Sequence, residues 1–296
     1  MAEFFYFKYD GLCKFMAHEL QHNLEKYLRE PNTVDGIRYY LNLEWNTTNK
    51  EQTRRVMQGL GARFVDNIRE LPPGAGIYIT AYDGNPHEVE VCRQQQIPLV
   101  EGVCPWLKVL KRRLLNPLEG YQYVFLTRDD HIVKKNYQCI FPEHTLCITL
   151  ENFQERLQQA LPGRPLYFLP YLTMRRSDFE RICAYMDIHH PHPENRYDDA
   201  TLCGWVVHQG ILEELEQEIR ERQLDQVWVI CNTLRDTSTM SMIMQVQDCG
   251  AEAVVITSLA EIPVMEDAGV RIGCACAPFP FPLAGKIMEE IRRRYG

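Results

Sequence analysis

No run of apolar residues in this 296-residue chain approaches the roughly 20 that a membrane-spanning helix needs, so a helical membrane protein is not expected. The opening stretch MAEFFYFKYDG lacks both a basic flank and a small-residue cleavage site, so it does not read as a secretory signal. A soluble, cytoplasmic protein with no membrane partner is expected. Excess positive charge is missing too: the formal net charge of -8 argues against a general nucleic-acid binder. The basic runs at 111–113 and 292–294 read as solvated helix faces. Close CxxC pairs are also absent, and the nearest pair, Cys274 and Cys276, is CxC, which ranks structural zinc below other uses of cysteine.

Cysteine itself is plentiful. Eleven in a cytoplasmic chain, where disulfides are disfavoured, point to metal, cluster or redox chemistry. Cys92, Cys183 and Cys249 fall among apolar neighbours on predicted helices and are expected to be small core residues.

The clearest pattern is a loose threefold repetition in which a cysteine precedes an amphipathic helix. After Cys13 apolar residues recur at Met16, Leu20, Leu24 and Leu28; after Cys104 at Leu107, Leu110 and Leu114; after Cys203 at Val207, Ile211, Leu215 and Ile219. Each helix is followed by three β-type runs and a closing helix. The runs are 38–45, 62–66 and 75–81 in the first segment, 121–126, 146–149 and 165–170 in the second, and 226–231, 252–257 and 270–275 in the third. The closing helices are 86–95, 177–186 and 284–294. Strands alternating with helices imply small parallel sheets joined by right-handed crossovers. The expected segments are 1–103, 104–202 and 203–296.

In parallel α/β units ligands gather at strand C-terminal ends and helix N-terminal ends, so the three cysteines are expected to face a shared centre. A helix N-terminus carries unpaired N–H groups and roughly half a positive charge, which favours thiolate, the ligand that iron-sulfur clusters need. Three thiolates would hold three irons of a four-iron cluster and leave the fourth with an open position for substrate. Three helix-start cysteines with no metal are the plain alternative.

These residues resemble the hydroxymethylbutenyl diphosphate reductases, the LytB family, the last enzyme of the non-mevalonate isoprenoid route. The matching stretches are YDGLCKF, GARFVDNIRELPPGAGIYITAYDG, IPLVEGVCPWLKVLK, PLYFLPYLTMRRSDFERI, DDATLCGWVVHQG and AEAVVITSLAEIP, in order along nearly the whole chain. The resemblance implies a trefoil of three pseudo-repeated α/β domains around a central [4Fe-4S] cluster, with Cys13, Cys104 and Cys203 at the three ligand positions. It also implies a small-molecule substrate at the unique iron and a ferredoxin- or flavodoxin-like electron donor. Quinolinate synthase looks like a distant architectural relative.

The pocket departs from that pattern. The family's HPE becomes His131, Ile132 and Val133, so the histidine is kept and the carboxylate is lost. Its second and third histidines align with Asn49 and Tyr82, and its TQTT stretch with Pro170, Tyr171, Leu172 and Thr173. The phosphate loop becomes 232–241, NTLRDTSTMS, and the terminal GAS stretch becomes CACAPFPFP, with Phe279 near a phosphate-binding serine position. Diphosphate needs several convergent, charge-assisted donors, each contributing about 1.5–3 kcal/mol. Their loss predicts a less charged, planar or apolar substrate bound near Asn49, Tyr82 and Thr173.

His131 and Asp130 are the catalytic candidates, with Asp129 beside them, because acid-base groups just after a strand suit proton transfer; a solvated turn explains the aspartates equally well. The HHPHPE segment at 189–194 reads as an irregular loop before a metal site. Phe15, Trp106 and Trp205, each two residues after a ligand cysteine, would shield the cluster. Cys274 and Cys276 are expected in a proline-rich loop after a strand, as a redox pair, a sulfur relay, a fourth ligand or inert thiols. The expected activity is reduction or elimination at an open iron. An electron carrier or redox sensor, or a sulfur-transfer enzyme with sulfide on the open iron, are the other readings.

Overall fold

The computed structural model describes residues 2–7, 33–42, 58–59, 61–65, 67–79, 84–128, 131–203, 211–231, 234, 237–265, 269–277 and 283–296, without the side chains of residues 42 and 132. Strand β1 (Glu3–Tyr6) comes first, followed by β2 (Thr33–Val34), β3 (Ile37–Asn42), β4 (Phe64–Val65), β5 (Gly76–Ile79), α1 (Pro86–Gln94) and β6 (Leu99–Glu101). The next stretch is α2 (Pro105–Leu115), β7 (Gln122–Leu126), α3 (Ile132–Tyr137), β8 (Leu146–Ile148), α4 (Phe153–Leu157), β9 (Leu166–Leu169), α5 (Arg176–His189) and β10 (Arg196–Tyr197). The last holds α6 (Ile211–Arg222), β11 (Gln226–Ile230), α7 (Thr237–Asp248), β12 (Glu252–Ile256), β13 (Arg271–Cys276) and α8 (Ala284–Tyr295).

These strands form three sheets with one shared plan. Across the sheets the order runs β4-β3-β5-β6, β8-β7-β9-β10 and β12-β11-β13-β1, and every one of those pairs is parallel. Among the described residues the single antiparallel pair is the β2-β3 hairpin, whose two-residue turn, Asp35 and Gly36, has φ of 52° and 78°. Positive φ at both turn residues matches the twist of the flanking strands, and Asp-Gly tolerates it.

In the second and third sheets the inner strands β7, β9 and β11 are covered on both faces, which is why they read as largely apolar runs: β7 and β9 are buried at every residue, and β11 at four of five. The fourth strands β6 and β10 lie at edges and are only partly buried. Helix α2 buries Leu107, Leu110 and Leu114 and starts with Pro105, whose fixed φ suits the first turn. Helix α8 buries Ile287 and Ile291 against Trp228, Ile230, Ile256 and Ile272. Full burial of one such side chain contributes about 1.5–3 kcal/mol.

The expected first segment, 1–103, does not keep its opening strand. Glu3, Phe4, Phe5 and Tyr6 pair with Arg271 to Cys274, so β1 is the fourth strand of the last sheet. In the first two sheets that place is filled by the strand following the closing helix, and no described strand follows α8, so the edge of β13 takes the strand from the other end of the chain. The chain divides into two compact units, one built on the last sheet and the other on the first two. Among the described residues, no helix is long and apolar enough to cross a membrane.

Candidate functional site

The second sheet sends its strand C-terminal ends into two connected loops. After β7 the chain turns through Thr127 and Arg128 to His131, which caps α3. After β9 it runs through Pro170, Tyr171, Leu172 and Thr173, all buried, before Arg175 opens α5. Buried Arg175 and Asp178 pair there at 2.7 Å, and Arg181 adds a contact to the same carboxylate at 3.2 Å. That pairing anchors the loop, since a buried charge is stable only with a partner.

His131 joins the two loops. Its Nδ1 accepts the Val133 N–H at 3.1 Å, so that nitrogen carries no proton and the bonding pattern assigns the ring hydrogen to Nε2. Nε2 lies 2.6 Å from the Tyr171 hydroxyl oxygen, with the rings edge to face at 4.4 Å. His131 is therefore oriented at both nitrogens, with Nε2–H donating to Tyr171. Val133, where the resemblance places a carboxylate, is a buried core residue.

The same loop reaches a cysteine. Cys203 N–H donates to Leu172 O at 2.5 Å, and the Thr201 hydroxyl lies 3.2 Å from Pro170 O. Cys203 is buried and in no disulfide. Cys104 is half-buried, follows β6 directly, and is the N-cap of α2 with no side-chain cap hydrogen bond. Thus His131, Thr173 and Cys203 are tied together through the 170–173 loop. Cys104 sits where the sequence pattern places it, at a strand exit and a helix start. Cys13, Asn49, Tyr82, Asp129, Asp130, Phe15, Trp205 and Phe279 lie outside the described residues; Trp106 is half-buried. Among the described residues no group of three or more His, Cys, Asp and Glu side chains is arranged to hold a metal ion. That set includes only two of the three cysteines singled out.

Tyr171 is the residue the sequence pattern misses. Its role depends on a contact 40 residues away, which no local spacing reports.

Two expectations need correction or narrowing. Cys274 and Cys276 are not in a loop: both lie within β13, pair with Trp228 and Ile230, and pack in the core around Ile272 and Ile287. Burial, with Cys276 beside it, pushes the Cys274 thiol up to about 12. A thiol so protonated is a poor nucleophile and a poor ligand. Iodoacetamide at neutral pH is expected to leave Cys274 unmodified in the folded protein, with labelling appearing in mass spectra only after denaturation. The HHPHPE segment is a structural loop: His192 Nδ1 accepts the Glu194 N–H at 3.2 Å, Asn195 donates to His190 O at 2.8 Å, and His189 stacks near Tyr185.

Of the loop read as a former phosphate site, Ser238 and Thr239 fall in the first turn of α7 and are fully buried. Among the described residues their hydroxyl oxygens find no hydrogen-bond partner, and a buried hydroxyl left so costs about 1–3 kcal/mol. Cys92 is buried as expected, whereas Cys183 and Cys249 are half-buried.

No protein-family model matches the chain. It is 20% identical over 166 residues to the 4-hydroxy-3-methylbut-2-enyl diphosphate reductase of Protochlamydia amoebophila (strain UWE25), a match covering 55% of this chain and 53% of that one. The chain thus spans about half the length of the curated relative it matches. Similarity to solved structures extends further. The E-1-hydroxy-2-methyl-but-2-enyl-4-diphosphate reductase from Plasmodium falciparum superposes with a TM-score of 0.75 at 13% identity, over 98% of this chain and 88% of that one. A second structure, of (E)-4-hydroxy-3-methyl-but-2-enyl diphosphate reductase, the terminal enzyme of the non-mevalonate pathway, gives 0.58 at 18% identity over 99% of both chains. With three sheets of one shared order, and a fold match that far outruns the sequence match, the chain is LytB-like in fold and only distantly similar in sequence.

Proposed function

We propose that this protein is an iron-sulfur enzyme that reduces a small, weakly charged substrate or eliminates a group from it at the open iron of a [4Fe-4S] cluster. The observation that carries the reading is the placement of Cys104 and Cys203: two cysteines in no disulfide, one following β6 at the start of α2 and the other following β10 and its 3-10 turn, in the fold of the LytB reductases. Thiolate sulfur is the donor such clusters take, so these residues fit the group; Cys13 would complete the set. When bound, the cluster would supply electrons and a Lewis-acidic iron.

The chain's own residues would handle position and protons. His131, held as the Nε2–H tautomer, would orient the Tyr171 hydroxyl through its hydrogen bond, so that this hydroxyl presents its own proton toward a substrate, with Asp130 as the nearby carboxylate in sequence. Asn49, Tyr82 and Thr173 would contact the substrate. Buried Tyr171, Leu172 and Val133 support a substrate that is planar or apolar rather than a diphosphate, because none of them offers the charge-assisted bonds a diphosphate requires. Electrons would come from a ferredoxin- or flavodoxin-like donor.

Anaerobic purification followed by iron and sulfide quantification and Mössbauer spectroscopy tests the reading. About four irons per chain with one distinct iron is the expected result. Four equivalent irons would turn the assignment to an electron carrier or sensor, and a bound extra sulfide to sulfur transfer. Efficient turnover of hydroxymethylbutenyl diphosphate by the reduced protein would overturn the substrate part.

A further inference from the structure

A buried carboxylate persists only where donors converge on it, and Asp198 gathers three. Its side chain is 8% exposed. Arg113 Nε donates to Oδ2 at 2.7 Å, the Tyr167 hydroxyl donates to the same oxygen at 2.5 Å, and the Ala200 N–H donates to Oδ1 at 3.2 Å. Burial, with the Asp198 carboxylate next to it, pushes the Tyr167 phenol far above its usual range, so Tyr167 remains a donor.

These three donors come from different places. Arg113 is in the last turn of α2, the helix whose N-cap is Cys104. Tyr167 is on β9. Ala200 is in the short 3-10 turn Asp199–Thr201, which packs on α2 and leads through buried Leu202 to Cys203. That turn is held at its far end by the Thr201 and Cys203 bonds to Pro170 O and Leu172 O. A cavity of about 350 Å³ lined by Arg113, Tyr167, Arg196 and Asp198 opens beside the joint, at the end of α2 opposite Cys104.

We infer that Asp198 is a positioning residue for iron ligation: through Arg113 and Ala200 it locks the helix that begins at Cys104 to the turn that ends at Cys203. Residues far apart in sequence are thereby made one frame, and the spacing of two thiols is set before any metal arrives. The inference rests on the cluster reading above. Asp198 itself would touch neither cluster nor substrate.

Asp198→Asn keeps the shape and removes the charge that grips Arg113. Two measurements on the whole chain read the result: the rate at which a chelator strips iron from the anaerobically purified protein, and the iodoacetamide labelling rate of Cys203 in the iron-free protein, followed by mass spectrometry with Cys92 as the internal reference. Ile148→Val, a buried methyl deletion in β8, serves as a comparison for general loss of stability. Iron release from Asp198→Asn is expected to be about 10- to 100-fold faster than from wild type, the usual effect of losing a group behind a metal ligand. Cys203 labelling should rise in parallel, with Cys92 and the Ile148→Val protein unchanged in both measurements. A wild-type protein that holds iron, beside an Asp198→Asn protein matching it in release and labelling, overturns the inference. Equal acceleration in Ile148→Val overturns it too. A wild-type protein that takes up no iron overturns instead the cluster reading on which it rests.

Discussion

Replacing Cys203 with alanine is expected to take iron and labile sulfide from about four per chain to background, and Cys104→Ala to do the same. The prediction separates donor loss from fold loss. The Cys203 backbone N–H bonds Leu172 O, and alanine keeps that bond. Cys104 is only half-buried and makes no side-chain cap, so α2 keeps Pro105 and its three core leucines. Each substitution should therefore cost about 1 kcal/mol or less of stability while removing the cluster. Metal analysis beside thermal unfolding followed by circular dichroism checks both halves. Unchanged iron in either variant would mean that the cysteine is a core residue and no ligand. Cys203→Ser is a sharper comparison, since it retains a donor atom but exchanges soft sulfur for hard oxygen.

The largest stability effect is expected at Trp228. It is fully buried on β11, edge-on to Phe4 of β1 at 5.2 Å and to Tyr295 of α8 at 5.8 Å. Phe4 and Tyr295 stack on each other at 4.7 Å, so one indole supports three elements at once. Trp228→Ala should cost about 3–5 kcal/mol, because the space between a strand, an edge strand and a helix cannot collapse to fill the void. Urea unfolding gives the magnitude. Hydrogen exchange gives the place: amides of β1 and β11 should lose protection while those of β7 and β9, in the other compact unit, keep it. Uniform loss across both units would show that the two unfold together.

Much of this architecture is legible in the sequence, for an identifiable reason. Among the strands read, 226–231 for Gln226–Ile230 and 165–170 for Leu166–Leu169 are inner strands whose two covered faces favour continuous apolar residues, while 62–66, 146–149 and 252–257 fall on the edge strands β4, β8 and β12. The strands not read are β1, β2, β6 and β10, edges of four, two, three and two residues, with Glu3, Glu101 and Arg196 among them. Edges so short offer few residues from which a pattern can be read. At the site, Cys104 is legible because proline and a helical stripe follow it. Tyr171 and Asp198 are not, since each matters through a partner 40 or 85 residues away. Cys274 and Cys276 mislead because prolines follow closely, yet β13 continues through Cys276 to pair with Ile230.

The place of β1 also dictates an order of events during synthesis. Its four residues are made long before the edge they need, Arg271–Cys274. Until then Phe4, Phe5 and Tyr6 form an aromatic strip with no strand to join, the kind of segment that pairs wrongly with a neighbouring chain. Closure of the last sheet joins widely separated parts of the polypeptide, so it is expected to be the slowest assembly step. A nascent chain of this protein therefore carries β1 as a liability that only the later arrival of β13 can remove.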